Sequence, residues 1–533
     1  MIRFPQNSTS GLRLTGSANE EEDVLAEARI NGGMVTSIDE VDLENNQFVA
    51  VNHATVRYDK TSRQYGTELL TPTKPDSNRV LHLVTYERFG GDVSLIRFTP
   101  STVYEHSSSA WTAQVGVLSG AESDRFRTAI INNRLFFANN GADVIQELDV
   151  TANTFAALGN APRYKFIIGF NNRVVGANLV GSPGSTIQIG WSGNLNFGVW
   201  DTASDPSAGS VSLIDTNSDL SDNISGLFGF TDSALMLRER SLWGITKQPV
   251  ASNPFNFFPI FPGIGCDSPY SAVAIHNGIA WFDIRSGTVY AFKVGDKEPT
   301  PIGRPIEKSL LAQVVTAGTV YGTYNPLHDE YSVCVPDSST GVRIWTFNFR
   351  SKAWAYEERT DLSCIATIDY ASQELTIDQL SGMINDLTGT IDELGISIEL
   401  ASRLYGYDNG EIRVENNLSD LDNGSPYTME IRSKNWRAPV KKFYVQKLAI
   451  EYIPRLEGSF TLAYSKDGGA NFTNYKTITF DNDDAGIRKL VTCTKHLQCN
   501  QFQWKLTSTD GLFDLMSYEI TRVPANAPQR QRS

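Results

Sequence analysis

The stretch "RFRTAIINNRLFFANNGADVIQELDVTANTFAALG", residues 125–159, carries the pattern that governs most of the chain. It reads as a strand, an Asn turn, a second strand, a longer loop and a further strand. The strand runs are rich in Phe, Ile and Leu, and the breaks are built from Asn, Gly and Asp. The same grammar recurs on both sides, in "VLHLVTYERFGGDVSLIRFTPSTVYEHSSSAW" before it and "YKFIIGFNNRVVGANLVGSPGSTIQIGWSGNLNFGVW" after it. "ISGLFGFTDSALMLRERSLWGIT", "YSAVAIHNGIAWFDIRSGTVYAFKVGDKEPTPIG" and "VYGTYNPLHDEYSVCVPDSSTGVRIWTFNFRSKAWAYEE" extend the series. Units of roughly 35 to 50 residues, each of three or four short strands, are the signature of propeller blades. One such sheet cannot bury both faces by itself, so neighbouring units must stack.

These six units predict an all-β fold, a β-propeller of about six blades over residues 71–360. "YGYDNGEIRVEN" (405–416) reads as a last propeller hairpin, within 404–420. From 421 to 525 the runs lengthen and alternate with period two, as in "VQKLAIEYIP" and "SFTLAYSKDGG", which predicts a C-terminal β-sandwich. Residues 1–70 read as an extended N-terminal arm, with a short helical turn or two in "ANEEEDVLAEARINGG" (18–33). The Pro-rich, basic end, 526–533, reads as a disordered tail.

The bulk properties agree with this class. The 533 residues carry 41% hydrophobic and 20% charged side chains and 42 Gly, a foldable, turn-rich composition. A net charge of −14 disfavours binding to nucleic acid by phosphate neutralisation. Five cysteines (266, 334, 364, 493, 499) are odd in number and scattered, so free thiols made in a reducing cytoplasm are expected. "MIRFPQNSTSG" has no apolar core of a signal peptide, and no run is long enough to insert in a membrane.

One segment breaks the pattern. "TIDQLSGMINDLTGTIDELG" (376–395), within an acidic repeat insertion over 361–403, places Ile and Leu at 377, 380, 384, 387, 391 and 394. That three-four spacing is a coiled-coil seam. A glycine in each unit and the absence of any Lys or Arg between Arg359 and Arg403 argue instead for short helical turns capped by Thr or Asp. Its carboxylates, Glu374, Asp378, Asp386, Asp392, Glu393 and Glu399, lack EF-hand spacing and are expected to line a lumen or a subunit interface.

No spacing identifies a catalytic, cofactor-binding or metal-binding residue, so no enzyme activity and no cofactor are expected. "SKDGGANF" (465–472) matches the Asp-box turn of sialidases, which shapes a hairpin and does no chemistry. Cys493, His496 and Cys499 have a zinc-like separation, but on a strand positions three apart point to opposite faces. A sialidase-like or glycan-binding propeller is the alternative reading. It would need converging arginines, for which Arg127, Arg134, Arg163, Arg173 and Arg238 are the candidates. Trp191, Trp200, Trp243, Trp281, Trp345 and Trp354 recur near unit ends, where core anchoring outweighs sugar stacking.

Taken in order, "IQIGWSGNLNFGVW", "GLFGFTDSALMLRERSLWGI", "GIGCDSPYSAVAIHNGIAWFDIRSGTVYAF", "YNPLHDEYSVCVP" and "IWTFNFRSKAWAYEE" resemble the propeller of a known family. It is that of tail hub proteins of P22-type short-tailed bacteriophages, also called packaged-DNA stabilisation proteins. Tail nozzle proteins of T7-like phages are more distant. The Ile-Asp-x-Leu-x-Gly repeats and "AYSKDGGANF" fit the same comparison, which covers residues 120–523. The resemblance implies a virion tail protein: a homo-hexameric ring below the portal and adaptor, near the tail needle or fibre proteins. It further implies that double-stranded DNA passes through without sequence-specific binding, and that the protein helps retain and eject the packaged genome. An acidic ring suits such a conduit, because carboxylates repel phosphate within a Debye length of about 8 Å.

Overall fold

A computed structural model describes residues 23–89, 93–107, 110–181, 185–214, 222–250, 252–313, 320–337, 341–368, 402–438 and 442–524. The protein is nearly all-β and made of many small sheets. Among the described residues one short α-helix, Glu307–Ala312, interrupts the strands.

Among the described residues, seven four-stranded antiparallel meanders follow one another along the chain. The first six start with His82–Glu87, Phe126–Ile131, Tyr164–Phe170, Ile224–Gly229, Val273–Ile275 and Tyr321–Asn325. They correspond to the six units read from the sequence. The Asn pairs explain their tight first turns. Ile131 pairs with Arg134 and Phe170 with Arg173, leaving two-residue loops. Asn132, Asn133, Asn171 and Asn172 all have φ between 47° and 60°. This is the I′ geometry whose twist matches that of the flanking strands, and Asn is among the few residues that tolerate it.

The seventh meander takes strands from both parts of the chain. Leu362–Ile368, Ser402–Tyr407 and Ile412–Asn416 pair in order, and the fourth strand is β5, Gly66–Leu69. The first strands lie side by side in sequence: meander one against two, two against three, three against four, five against six, six against seven. Between four and five the contact falls on the turn Pro269–Ser271, just ahead of Val273–Ile275. The first strand of the seventh meander packs against that of the first. Aromatic rings fill the gaps between meanders; Phe98 of the first sits 4.8 Å from Phe126 of the second. Each such buried side chain contributes about 1.5–3 kcal/mol.

The segment expected as an arm is, from residue 23 onward, built into sheets. Strand β1 (Asp23–Arg29) pairs with Leu512–Pro524, where a helical turn was expected. The alternation of "DVLAEAR" lets Ala26 enter a buried face, and pairing outweighs the helix preference of Ala, Leu and Glu. Strand β2 (Phe48–Asn52) lies between the last strand of the sixth meander and Met429–Ser433. It makes one continuous sheet from Tyr321–Asn325 out to Thr473–Phe480. Strands β3 (Ala54–Arg57) and β4 (Lys60–Arg63) pair with each other, and β4 joins Leu512–Pro524, Phe443–Leu456 and Lys489–Cys499 in a second sheet. The two sheets meet face to face through Trp504 against Tyr518 (5.3 Å) and Phe460 against Phe513 (5.2 Å). Sandwich-like packing therefore draws on residues 23–63 as well as on the expected 421–525.

Candidate functional site

A cavity of about 380 Å³ opens between the first strands of five meanders, the first, second, fifth, sixth and seventh. Its polar wall comes from His82, Arg125, Arg127 and Thr367, and its apolar wall includes Leu81 and Phe126. In "RFRTAII" the two arginines stand two apart, so period two places both on one side of the strand. Arg125 is buried and donates from Nη1 to the Ser363 carbonyl (2.5 Å), with its guanidinium over the Tyr321 ring. Arg127 donates from Nη2 to the carbonyls of Pro269 (2.7 Å) and Ala272 (3.2 Å), over the Tyr270 ring. No Asp or Glu lines the cavity, and neither arginine forms an ion pair among the described residues.

The electrostatics follow from that imbalance. Burial, reinforced by the Arg127 and Arg125 charges, lowers His82 to about 3, so the imidazole is neutral at pH 7. Burial also lowers Arg127 from its ordinary value, with no carboxylate nearby to offset it. His82 Nε2 and Thr367 Oγ1 are buried without a hydrogen-bond partner. Such groups cost roughly 1–3 kcal/mol each when left unpaired.

A second concentration of charge lies at the joint between β3 and the sixth and seventh meanders. Glu330, 1% exposed, accepts from Arg57 Nε (2.8 Å) and Nη2 (3.1 Å) and from Arg403 Nη2 (3.4 Å). Arg403 reaches Glu357 (3.2 Å), which also holds Arg359 (2.9 Å), and Arg359 continues to Asp422 (2.7 Å). Burial alone would raise Glu330; the Arg57 and Arg403 charges outweigh it and hold the carboxyl at about 2. Every member has an opposite charge in contact, the condition under which buried ions are tolerated. Its geometry is that of a structural clamp.

The residues singled out from sequence fall in several places. Glu374, Asp378, Asp386, Asp392, Glu393 and Glu399 lie outside the described residues. The Asp-box is a hairpin tip. Ser465 Oγ donates to Asp467 (2.5 Å) and accepts from the Gly469 amide (2.9 Å), Asp467 accepts from the Asn471 amide (3.0 Å), and Gly468 and Gly469 have φ of 75° and 89°. On Lys489–Cys499, Cys493 and Cys499 face the core and His496 faces out. All five cysteines are free and buried.

The five candidate arginines do not meet. Only Arg127 lines the cavity; Arg134 pairs with Glu147, Arg238 with Asp222, Arg173 caps carbonyls of Asn171 and Ser207, and Arg163 is exposed. Trp200, Trp281, Trp345 and Trp354 are buried with their indole N–H bonded to Phe197, Gly265, Gln313 and Ile302. Arg125, His82 and the Glu330 cluster were missed from sequence. The Arg-x-Arg spacing in "RFRTAII" was the one available signal.

No family model and no curated protein matches the chain. Solved structures similar in shape include PorZ, a surface component of the type-IX secretion system of Porphyromonas gingivalis (11% identity, TM-score 0.34, 77% of this chain and 46% of that one). Virginiamycin B lyase of Staphylococcus aureus gives 11% identity and a TM-score of 0.38 over 66% of this chain and 99% of the lyase. The extracellular domain of the hybrid two-component system BT4673 of B. thetaiotaomicron gives 8% and 0.34 over 80% and 47%. The chain spans about half the length of the first and third.

Proposed function

We propose that the protein is a non-enzymatic building block of a short-tailed phage tail, a hub or nozzle ring below the portal and adaptor. In this reading the seven meanders close into a seven-bladed propeller, and six copies assemble around the DNA path. The closure is supported by the circuit of first strands, from the first meander round to the contact between the seventh and the first. It is supported further by β5, an N-terminal strand completing the last sheet, which fastens the two parts of the circuit by backbone hydrogen bonds.

The observation that carries the structural role is sheet continuity. A single ten-stranded sheet runs from the sixth meander through β2 into the C-terminal strands, and the Glu330 cluster pins β3 across the same joint. Meanders and C-terminal sheets are thus joined by backbone hydrogen bonds, which suits a part that seals a packaged genome. The order of Trp, Gly and Asp motifs supplies the phage assignment, by resemblance. Retention of the genome, residence in the virion and contact with portal, adaptor, needle or fibre belong to the same proposal.

Multi-angle light scattering tests it, with electron microscopy of the protein mixed with portal and adaptor. The expected species is six times the 58.8 kDa chain, seated on the adaptor ring. A monomer at every concentration that never joins tail proteins refutes it.

A further inference from the structure

We propose that the cavity walled by Arg125, Arg127, His82 and Thr367 binds a compact phosphate-class oxyanion, a site independent of any assembly role. The cavity is cationic in a chain of net charge −14, with two guanidinia and no carboxylate on its wall. Both guanidinia are oriented by fixed acceptors: the Ser363 carbonyl for Arg125, the Pro269 and Ala272 carbonyls for Arg127. Each also rests on a tyrosine ring. One or two N–H groups of each are spent on those carbonyls. None of the remainder is both buried and unpaired, so they stay open to the cavity. A guanidinium held this way has already lost its rotamer freedom and binds an anion at less entropic cost.

The side chains of His82 and Thr367 complete the polar wall from the first and seventh meanders, whereas both arginines come from the second; His82 Nε2 and Thr367 Oγ1 are packed away from the open space. Two guanidinium charges with no carboxylate beside them suit a divalent oxyanion over a univalent carboxylate. About 380 Å³ holds roughly a dozen waters at ~30 Å³ each, room for phosphate and a small organic group against Leu81 and Phe126.

Isothermal titration of the full chain with sodium phosphate at low ionic strength tests the site. The expected result is one saturable site per chain, competed by sulfate and not by acetate. Arg125→Gln and Arg127→Gln should each weaken phosphate about ten- to a hundred-fold. Arg488→Gln, at the exposed pair with Glu451, should leave it unchanged. Arg127→Lys keeps the charge but not the fork of donors and serves if the glutamine variants do not fold; it should weaken phosphate several-fold. A phosphate monoester such as glycerol 3-phosphate binding more tightly than inorganic phosphate assigns the apolar wall to an organic group; weaker binding assigns the site to the free ion. No saturable binding at millimolar phosphate, equal affinity for acetate, or indifference to Arg125 and Arg127 substitution overturns the proposal.

Discussion

Glu330→Gln is the sharpest test of how the sixth and seventh meanders are held to β3. The carboxylate accepts from Arg57 twice and Arg403 once, and also from Asn348 Nδ2 at 3.3 Å. Glutamine keeps the shape but removes the charge, and turns one acceptor into an NH₂ facing another donor. Two buried guanidinia then share no carboxylate at this point, although Arg403 retains Glu357. Removing one partner of a buried ion pair costs about 3–5 kcal/mol.

Hydrogen exchange of the amides in Glu330–Asp337 and Ser402–Tyr407 reads this locally. Opening should become between about a hundred- and a few-thousand-fold more frequent at pH 7. The pH dependence adds a second reading. Because the folded value, about 2, lies below the ordinary 4.5, Glu330 stabilises the fold fully above pH 4.5 and loses that contribution as pH falls towards 2. The wild type should therefore lose protection through that window, and the glutamine variant should show a flatter profile. A change of less than about tenfold in exchange, with the acid slope intact, would refute the clamp.

Three other outcomes are expected. A chain beginning at residue 71 loses β1 to β5, exposes the edge of Ile412–Asn416 and strips Glu330 of Arg57; it should aggregate or show protease cleavage within the seventh meander. Burial raises the thiols, Cys364 to about 12 and Cys499 to about 11, so the native protein at pH 8 should react with a thiol reagent far more slowly than the urea-unfolded chain, which should titrate five groups. Replacing Asp378, Asp386 and Asp392 together with Asn should alter DNA retention or ejection in assembled particles while the melting temperature of the purified chain stays nearly unchanged; loss of folding would make the segment structural.

Local pattern accounts for what was legible beforehand. Period-two alternation and Asn-Asn turns are properties of neighbouring residues, so "RFRTAIINNRLFFANN" announces a hairpin wherever it is placed. The same alternation placed Cys493 and His496 on opposite faces and disarmed the zinc reading. Beyond that reach the sequence was silent. "GTEL" in β5 is four residues long, and nothing in it announces Ile412–Asn416, roughly 350 positions away, as its partner. "DVLAEAR" suits a helix as well as a strand until Leu512–Pro524 offers an edge. Arg57 and Glu330 are separated by 273 positions and read singly as ordinary surface charges. Only when the sheets close do burial and desolvation make them obligatory partners, and only then do Arg125, Arg127 and His82 face one space. The chain's local chemistry thus determined its strands, turns and buried faces. Its long-range pairing, which depends on which edges and charges remain uncovered once those strands have packed, was decided by tertiary structure alone.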